Sequence, residues 1–311
     1  MDFIAKGTSN SLTDSVVFEK FCGGAPANTA SALGRLNADV AILGSIGSDF
    51  FGAFLKKSLA KSGVDITHIQ TLNNKPTAVV FASLSPQKIP QFHSFGTGMA
   101  YNYFVANKKV FELIAQSKFF HFTSIPLIEA KSRKETLKIL TAAQKAGAII
   151  SFDPNIRLHL FKSKGEAKKL AQEVLHFPQI MKFGKDEFQL LFGHRPLEKV
   201  CEKLEKQGAK LILITDGKKG SQFYFKGHFK KAPAYSVIVK DSIGAGDAFM
   251  AGILNKVASF TEINEISIEQ MIEFVRFANA VAAISTTKRG ATTAQPSEKQ
   301  ATRFLLSRQK N

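Results

Sequence analysis

The run Asp241-Ser242-Ile243-Gly244-Ala245-Gly246-Asp247-Ala248-Phe249 carries the sharpest chemical signal in the chain. Its small residues 244–246 lead into an apolar stretch, Ala248–Val257, that reads as a helix. Backbone N–H groups at a helix start have no acceptor within the helix, and the helix dipole points the same way. Such a segment holds anions. A carboxylate beside it would compete with the anion if its job were purely structural. Asp247 therefore reads as a base that takes a proton from an attacking hydroxyl, with the N–H groups of Gly244, Ala245 and Gly246 around the anion. Phosphoryl transfer asks little of a protein beyond positioning and charge stabilisation. Aspartate is also a common helix cap, so the short GAGD pattern gains its specificity from what accompanies it.

A second glycine segment accompanies it: Gly23-Gly24-Ala25-Pro26-Ala27-Asn28-Thr29-Ala30. A glycine pair permits tight backbone and close approach to a ligand. Pro26 suits the first turn of a helix running towards Leu36. Asn28 then falls in that first turn, where its amide can both donate to and accept from a polyol.

These segments need a scaffold, and the rest of the chain supplies a regular one. Short apolar runs alternate with longer amphipathic ones, the pattern of a mainly parallel sheet covered by helices. Buried strands are expected at Val40–Ile46, Phe119–Thr123, Ala148–Phe152, Gln179–Phe183 and Leu211–Thr215. Helices are expected near Ala130–Ala146, Glu198–Gln207 and Glu269–Thr286; in the first, Leu137, Leu140 and Ala143 recur at helical spacing. Residues 3–21 and 76–96 break this rhythm with short alternating runs that suit hairpins, and read as a small β lid. No repeat or Pro/Gly/Ser-rich linker separates two halves, so one α/β body with a lid is expected across residues 1–311.

Bulk properties narrow the function classes. With 44% hydrophobic residues the chain can build a substantial core, but no apolar run reaches the roughly 18 residues of a membrane span. Cys22 and Cys201 fit neither a disulfide framework nor a zinc pattern, and the start MDFIAKGTSNS is unlike a secretory signal, so a cytoplasmic protein is expected. The net charge of +17 invites a nucleic-acid reading. The lysines, however, are scattered as pairs at 56–57, 108–109, 168–169, 218–219 and 230–231, with no basic arm or base-stacking motif. A solvated basic surface that attracts anionic ligands such as a nucleotide fits better than a nucleic-acid partner.

At this point the chain resembles the ribokinase-like (PfkB) carbohydrate kinases, and among them the bacterial-type fructokinases. GGAPANTASALGRL is similar to the N-terminal signature and DSIGAGDAFMAGIL to the C-terminal one. IGSDFFGAFLKKSLAKSGVD, HFTSIPL, ISFDPNIRL, LITDGKKGS and FANAVAAISTTKRGA follow the family order over essentially the whole chain. The resemblance implies a three-layer α/β/α fold with a β lid, and transfer of phosphate from ATP to a sugar hydroxyl, with fructose as the first candidate. A kinase for another sugar or sugar acid such as 2-keto-3-deoxygluconate, or a non-catalytic relative, stands as the alternative. It also implies roles: Asp247 as base, Gly244, Ala245 and Gly246 as anion hole, and Asp2, Gly24 and Asn28 as holders of sugar hydroxyls. Arg157 would reach an anionic group, and Thr215, Gly217, Gly220 and Asn279 would line the nucleotide pocket. Glu187 would organise Mg2+ through water, Asp241 would mark a potassium site, and relatives often dimerise through the lid.

The chain departs from the family pattern in four places. The strand that usually precedes the sugar-binding aspartate is absent ahead of Met1-Asp2, and an upstream start is the expectation that follows. Phe95-Gly96 stands where an aromatic-arginine pair is usual, which leaves the sugar open. Ile243 replaces a threonine beside the cation site, and Gly184 replaces the asparagine that usually accompanies Glu187.

Overall fold

The brief apolar runs between residues 119 and 215 pair as a parallel sheet in the structure, a computed structural model that describes residues 1–7, 12–85, 90–94 and 98–308. The chain divides into two compact units, Met1–Tyr103 with Tyr235–Asn255 and Phe277–Asn311, and Phe104–Ala234 with Lys256–Arg276.

In the first unit, β1 (Asp2–Ala5), β2 (Phe18–Phe21), β5 (Val80–Leu84) and β6 (Pro90–Ser94) form one sheet in the order β2-β1-β5-β6. Each expected hairpin is there, β1 with β2 and β5 with β6, both antiparallel. The two are joined by a parallel β1–β5 pairing, so both lid segments belong to one small sheet. The strand expected at Val40–Ile46 is shorter: β3 (Gly44–Gly47) pairs with β4 (Ile69–Leu72), while residues before it make one isolated bridge, Ala41 to Asp65. Helix α1 (Ala25–Arg35) starts with Pro26 in its first turn, and α2 (Phe50–Lys61) is capped by Asp49, which accepts from Gly52 N at 2.8 Å.

The second unit carries a six-stranded sheet in the order β12-β11-β10-β9-β8-β7. Strands β7 (Phe119–Phe122), β8 (Ile149–Phe152), β9 (Ile180–Gly184) and β10 (Leu211–Thr215) run parallel, and the hairpin β11 (Ser221–Phe225) and β12 (His228–Ala232) closes it antiparallel. Between them run α3 (Lys108–Gln116), α4 (Ala130–Lys145), α5 (Lys164–Glu173), α6 (Lys185–Phe192) and α7 (Leu197–Lys206). Parallel strands must be buried on both faces, which is why these runs are nearly all apolar. Phe152, Phe183, Phe188 and Phe223 are fully buried there, with Phe122 stacked on Phe152 at 4.5 Å.

Helices α8 (Ala245–Val257), α9 (Ile268–Ser285) and α10 (Glu298–Arg308) complete the chain. In the first unit α1, α8, α9 and α10 share a core of Ala32, Leu36, Ala248, Ala251, Phe277, Val281 and Ala301. A side chain at Gly252 would come within 2.7 Å of Ala278 Cα, so the glycine lets α8 and α9 touch beside Asn279. The architecture is the expected mainly parallel α/β fold with a small separate β-sheet. No helix among the described residues is long and apolar enough to cross a membrane.

Candidate active site

Two helix starts in the first unit bring the glycine segments together. From the first turn of α1, Asn28 Nδ2 donates to Asp247 Oδ2 in the first turn of α8, at 2.8 Å and buried. Asn28 Oδ1 is also buried and has no partner among the described residues. The amide thus gives one of its two donors to the carboxylate and leaves its acceptor oxygen open. The main chain at Asn28 is fixed in turn, since its carbonyl accepts from Gln295 Nε2 at 2.9 Å and Gln295 Oε1 accepts from Ser31 at 2.7 Å. No sequence motif points to Gln295.

Asp2 lies beside the same glycine pair, buried at the start of β1. A Cβ on Gly23 would sit 2.0 Å from Asp2 Oδ2, so Gly23 makes room for that carboxylate. Gly24, the residue singled out from sequence, serves differently: its φ of +109° is open to glycine and strained for other residues. It is the residue before the first turn of α1.

The segment expected to form the anion nest leads into the start of α8. Ala245 N donates to Ser242 O at 3.3 Å, whereas the N–H groups of Gly244 and Gly246 meet no acceptor among the described residues. Gly244 needs to be glycine twice over, for its φ of +79° and because a Cβ would fall 2.5 Å from Ala291 Cβ. Asp241, buried, ties this loop to the segment after α9: its Oδ1 accepts from Ile243 N and its Oδ2 from Gly290 N, both at 2.9 Å. Asn279 is buried on α9.

The remaining candidates lie in the second unit, at the ends of the parallel strands where α/β folds bind ligands. Thr215 ends β10, and Gly217 and Gly220 follow with φ of +49° and +91°. A Cβ on Gly220 would strike Ala232 O at 2.3 Å. Glu187, in the first turn of α6, accepts from Gly184 N at 2.8 Å and from Ile156 N at 2.6 Å. Burial, then the charge of Asp153, raises its pKa, against Lys182 and the two backbone donors. Gly184 stands where an asparagine is expected and supplies no side-chain cap to α6, while its backbone N–H keeps the contact to Glu187. Glu187 thereby also holds the Asp153–Arg157 loop, whose end carries Arg157, half-buried. Phe95-Gly96 lies outside the described residues.

The motifs pass over one feature of this unit: a buried ion pair between Lys182 of β9 and Asp153 just after β8, 2.7 Å from Nζ to Oδ2. The signal for it is a lysine inside an otherwise apolar strand, Ile180–Gly184.

Comparison with known proteins places the chain in a family. A family model described as pfkB family carbohydrate kinase matches residues 1–298. Fructokinase-1 of Zea mays is 32% identical over 306 residues, 98% of this chain and 94% of its own. Fructokinase-2 of Oryza sativa subsp. japonica is 34% identical over 299 residues, 95% of this chain and 88% of its own. Among solved structures, a fructokinase from Xylella fastidiosa with bound ATP superposes with a TM-score of 0.88 at 29% identity, covering 99% of this chain and 96% of that one. The fold is ribokinase-like α/β.

Proposed function

Because the chain belongs to the pfkB family of carbohydrate kinases, we propose that it moves the terminal phosphate of ATP to the primary hydroxyl of fructose, giving ADP and fructose 6-phosphate. The observation that carries the chemistry is the buried Asn28–Asp247 contact beside the open N–H groups of Gly244 and Gly246. The sugar hydroxyl, held with help from Asp2 and Asn28, gives its proton to Asp247 as its oxygen bonds to phosphorus. The bond from phosphorus to the ADP oxygen breaks in line, while the N–H nest takes up charge on the phosphoryl group. Thr215, Gly217, Gly220 and Asn279 contact the nucleotide, and Arg157 an anionic group.

Magnesium and potassium belong to the same proposal. Among the described residues no three His, Cys, Asp or Glu cluster as a metal cage. That suits magnesium held chiefly by nucleotide phosphates, with Glu187 acting through water. When bound, magnesium neutralises charge on those phosphates. Asp241 would serve potassium: each of its oxygens accepts one backbone N–H and retains acceptor capacity.

The test is ADP release from ATP with magnesium against fructose, ribose, ketodeoxygluconate, adenosine and no sugar. Fructose-dependent release is expected. Release with another panel member would reassign the sugar, and none with any of them would overturn the kinase reading.

A further inference from the structure

The buried pair Lys182–Asp153 has no part in the chemistry above, and its place in the fold suggests one. The β8–β9 register pairs Phe152 with Met181, so the next residues along, Asp153 and Lys182, come side by side where β8 gives way to its loop. Lys182 is 4% exposed and Asp153 1%, and the strand neighbours Ile180, Met181 and Phe183 are all at 0%. Burying two charges is costly, and replacing such a pair by apolar residues of similar size often leaves stability unchanged or improved. Stability alone therefore gives little reason for a lysine here. A second observation points outward: Asp153 Oδ1, Thr123 Oγ1 and Ser124 Oγ are buried without a partner among the described residues. Buried polar atoms left so are few in folded proteins.

The loop that follows Asp153 is pinned at successive points. Asp153 N donates to Phe122 O at 3.2 Å, Ser124 N to Pro154 O at 3.0 Å, and Ile156 N to Glu187 Oε1 at 2.6 Å. Asn155 takes a left-handed φ of +48°. Of the anchors named here, each except one is a main-chain contact or a residue already assigned to the site. The exception is Lys182, whose ammonium holds the loop's first side chain. Arg157 ends this pinned segment, four residues from the clamp.

We propose that Lys182 is a positioning residue: by clamping Asp153 it fixes the 153–157 loop so that Arg157 meets the phosphate groups of the bound nucleotide. This rests on the kinase reading above, and it extends that reading to a residue that touches neither substrate. Lys182 is the charge partner that holds the Asp153 carboxylate in place within the interior, and the loop geometry depends on it. Loss of the ammonium lets the loop relax, and Arg157 loses its alignment.

The test is a double-mutant cycle between Lys182→Met and Arg157→Ala, read as kcat, as KM, and as calorimetric affinity for ATP with magnesium. Removing a charged contact to phosphate costs about ten- to a hundredfold in these terms. If Lys182 acts through Arg157, the double variant is no worse than Arg157→Ala alone. If the losses multiply, the proposal is overturned. Lys182→Met leaves Asp153 buried and unpaired, and a fall in Tm of about 10 °C is expected. The control for that is Lys182→Met with Asp153→Leu: Tm returns while ATP affinity and kcat stay low. Recovery of both would make the pair purely structural and overturn the proposal. The affinity arm needs no turnover, so an absence of kinase activity in the unaltered protein would fail the kinase reading alone, while the cycle still reports on Lys182.

Discussion

Asn28 Nδ2 and Asp247 Oδ2 stand 2.8 Å apart, buried, although 219 residues separate them in the chain. The contact joins the first turn of α1 to the first turn of α8, so the residue proposed to hold the sugar touches the proposed base. Asn28 Oδ1 has no partner among the described residues, so one amide would serve both proposed tasks.

Replacing the base separates binding from chemistry. Asp247→Asn keeps the shape and removes the proton acceptor, and a general base contributes about a hundred- to ten-thousandfold. Sugar and ATP affinities by calorimetry should stay within a few fold of the starting protein while ADP release falls by about a hundredfold or more. Turnover retained above a few per cent would show that Asp247 is not the base.

The contact itself is tested by Asn28→Asp. Two carboxylates 2.8 Å apart cannot both ionise in a buried place, so one holds a proton and the pair titrates together. The acid limb of the kcat profile should move to higher pH, with activity recovering as pH rises. Asn28→Ala, which adds no charge, should lower kcat/KM without that displacement. An unmoved acid limb in the aspartate variant would mean that position 28 does not govern the base.

Much of this is legible in sequence because glycine-rich helix starts and a lone carboxylate are local patterns. The parallel strands from Phe119 to Thr215 announce themselves through short apolar runs, and the structure agrees within a residue or two at each end. What the sequence hides is pairing at a distance. Nothing in GGAPAN says that its asparagine donates to an aspartate near the other end of the chain. Nor does it say that Gly23, rather than Gly24, makes room for Asp2. Val40–Ile46 looks like a strand from apolar content alone, yet only Gly44–Gly47 has a continuous partner to pair with. Lys182 and His121 sit inside strands that read as buried, and a polar residue in such a run implies a partner that only the fold can supply.

Gly23→Ala should act on sugar recognition and spare the fold. The new Cβ would land 2.0 Å from Asp2 Oδ2, and the atom that must give way is the end of a side chain. The Asp2 carboxylate is displaced while the backbone keeps its path. A misplacement of about 1 Å near a reacting group can cost about a hundredfold, so kcat/KM for fructose should fall by roughly that much, chiefly through KM. KM for ATP and Tm should change little. A variant with unchanged fructose KM would remove Asp2 from the sugar site.

His121 should give the protein an acid-sensitive stability. Its Nδ1 lies 2.9 Å from Ser151 Oγ, and burial first, with Lys182 adding to it and Asp153 and Ser151 opposing, lowers its pKa from the ordinary 6.5 to about 4. Glu187 also feels the charges of Asp153 and Lys182. With the folded pKa below the unfolded one, the unfolded chain takes up a proton first as pH falls. The contribution is fully present above about pH 6.5, is lost progressively as pH falls towards 4, and changes no further below that. Its full size is at most about 3 kcal/mol, the free-energy equivalent of that displacement. His121→Gln keeps a hydrogen-bonding side chain and removes the titration. Urea midpoints for the starting protein and this variant at pH 7.5, 5.5 and 4.5 provide the measurement. The stability advantage of the starting protein over the variant should shrink steadily towards pH 4.5. A difference that holds constant across the three pH values would mean that His121 is protonated as readily in the folded chain as in the unfolded one.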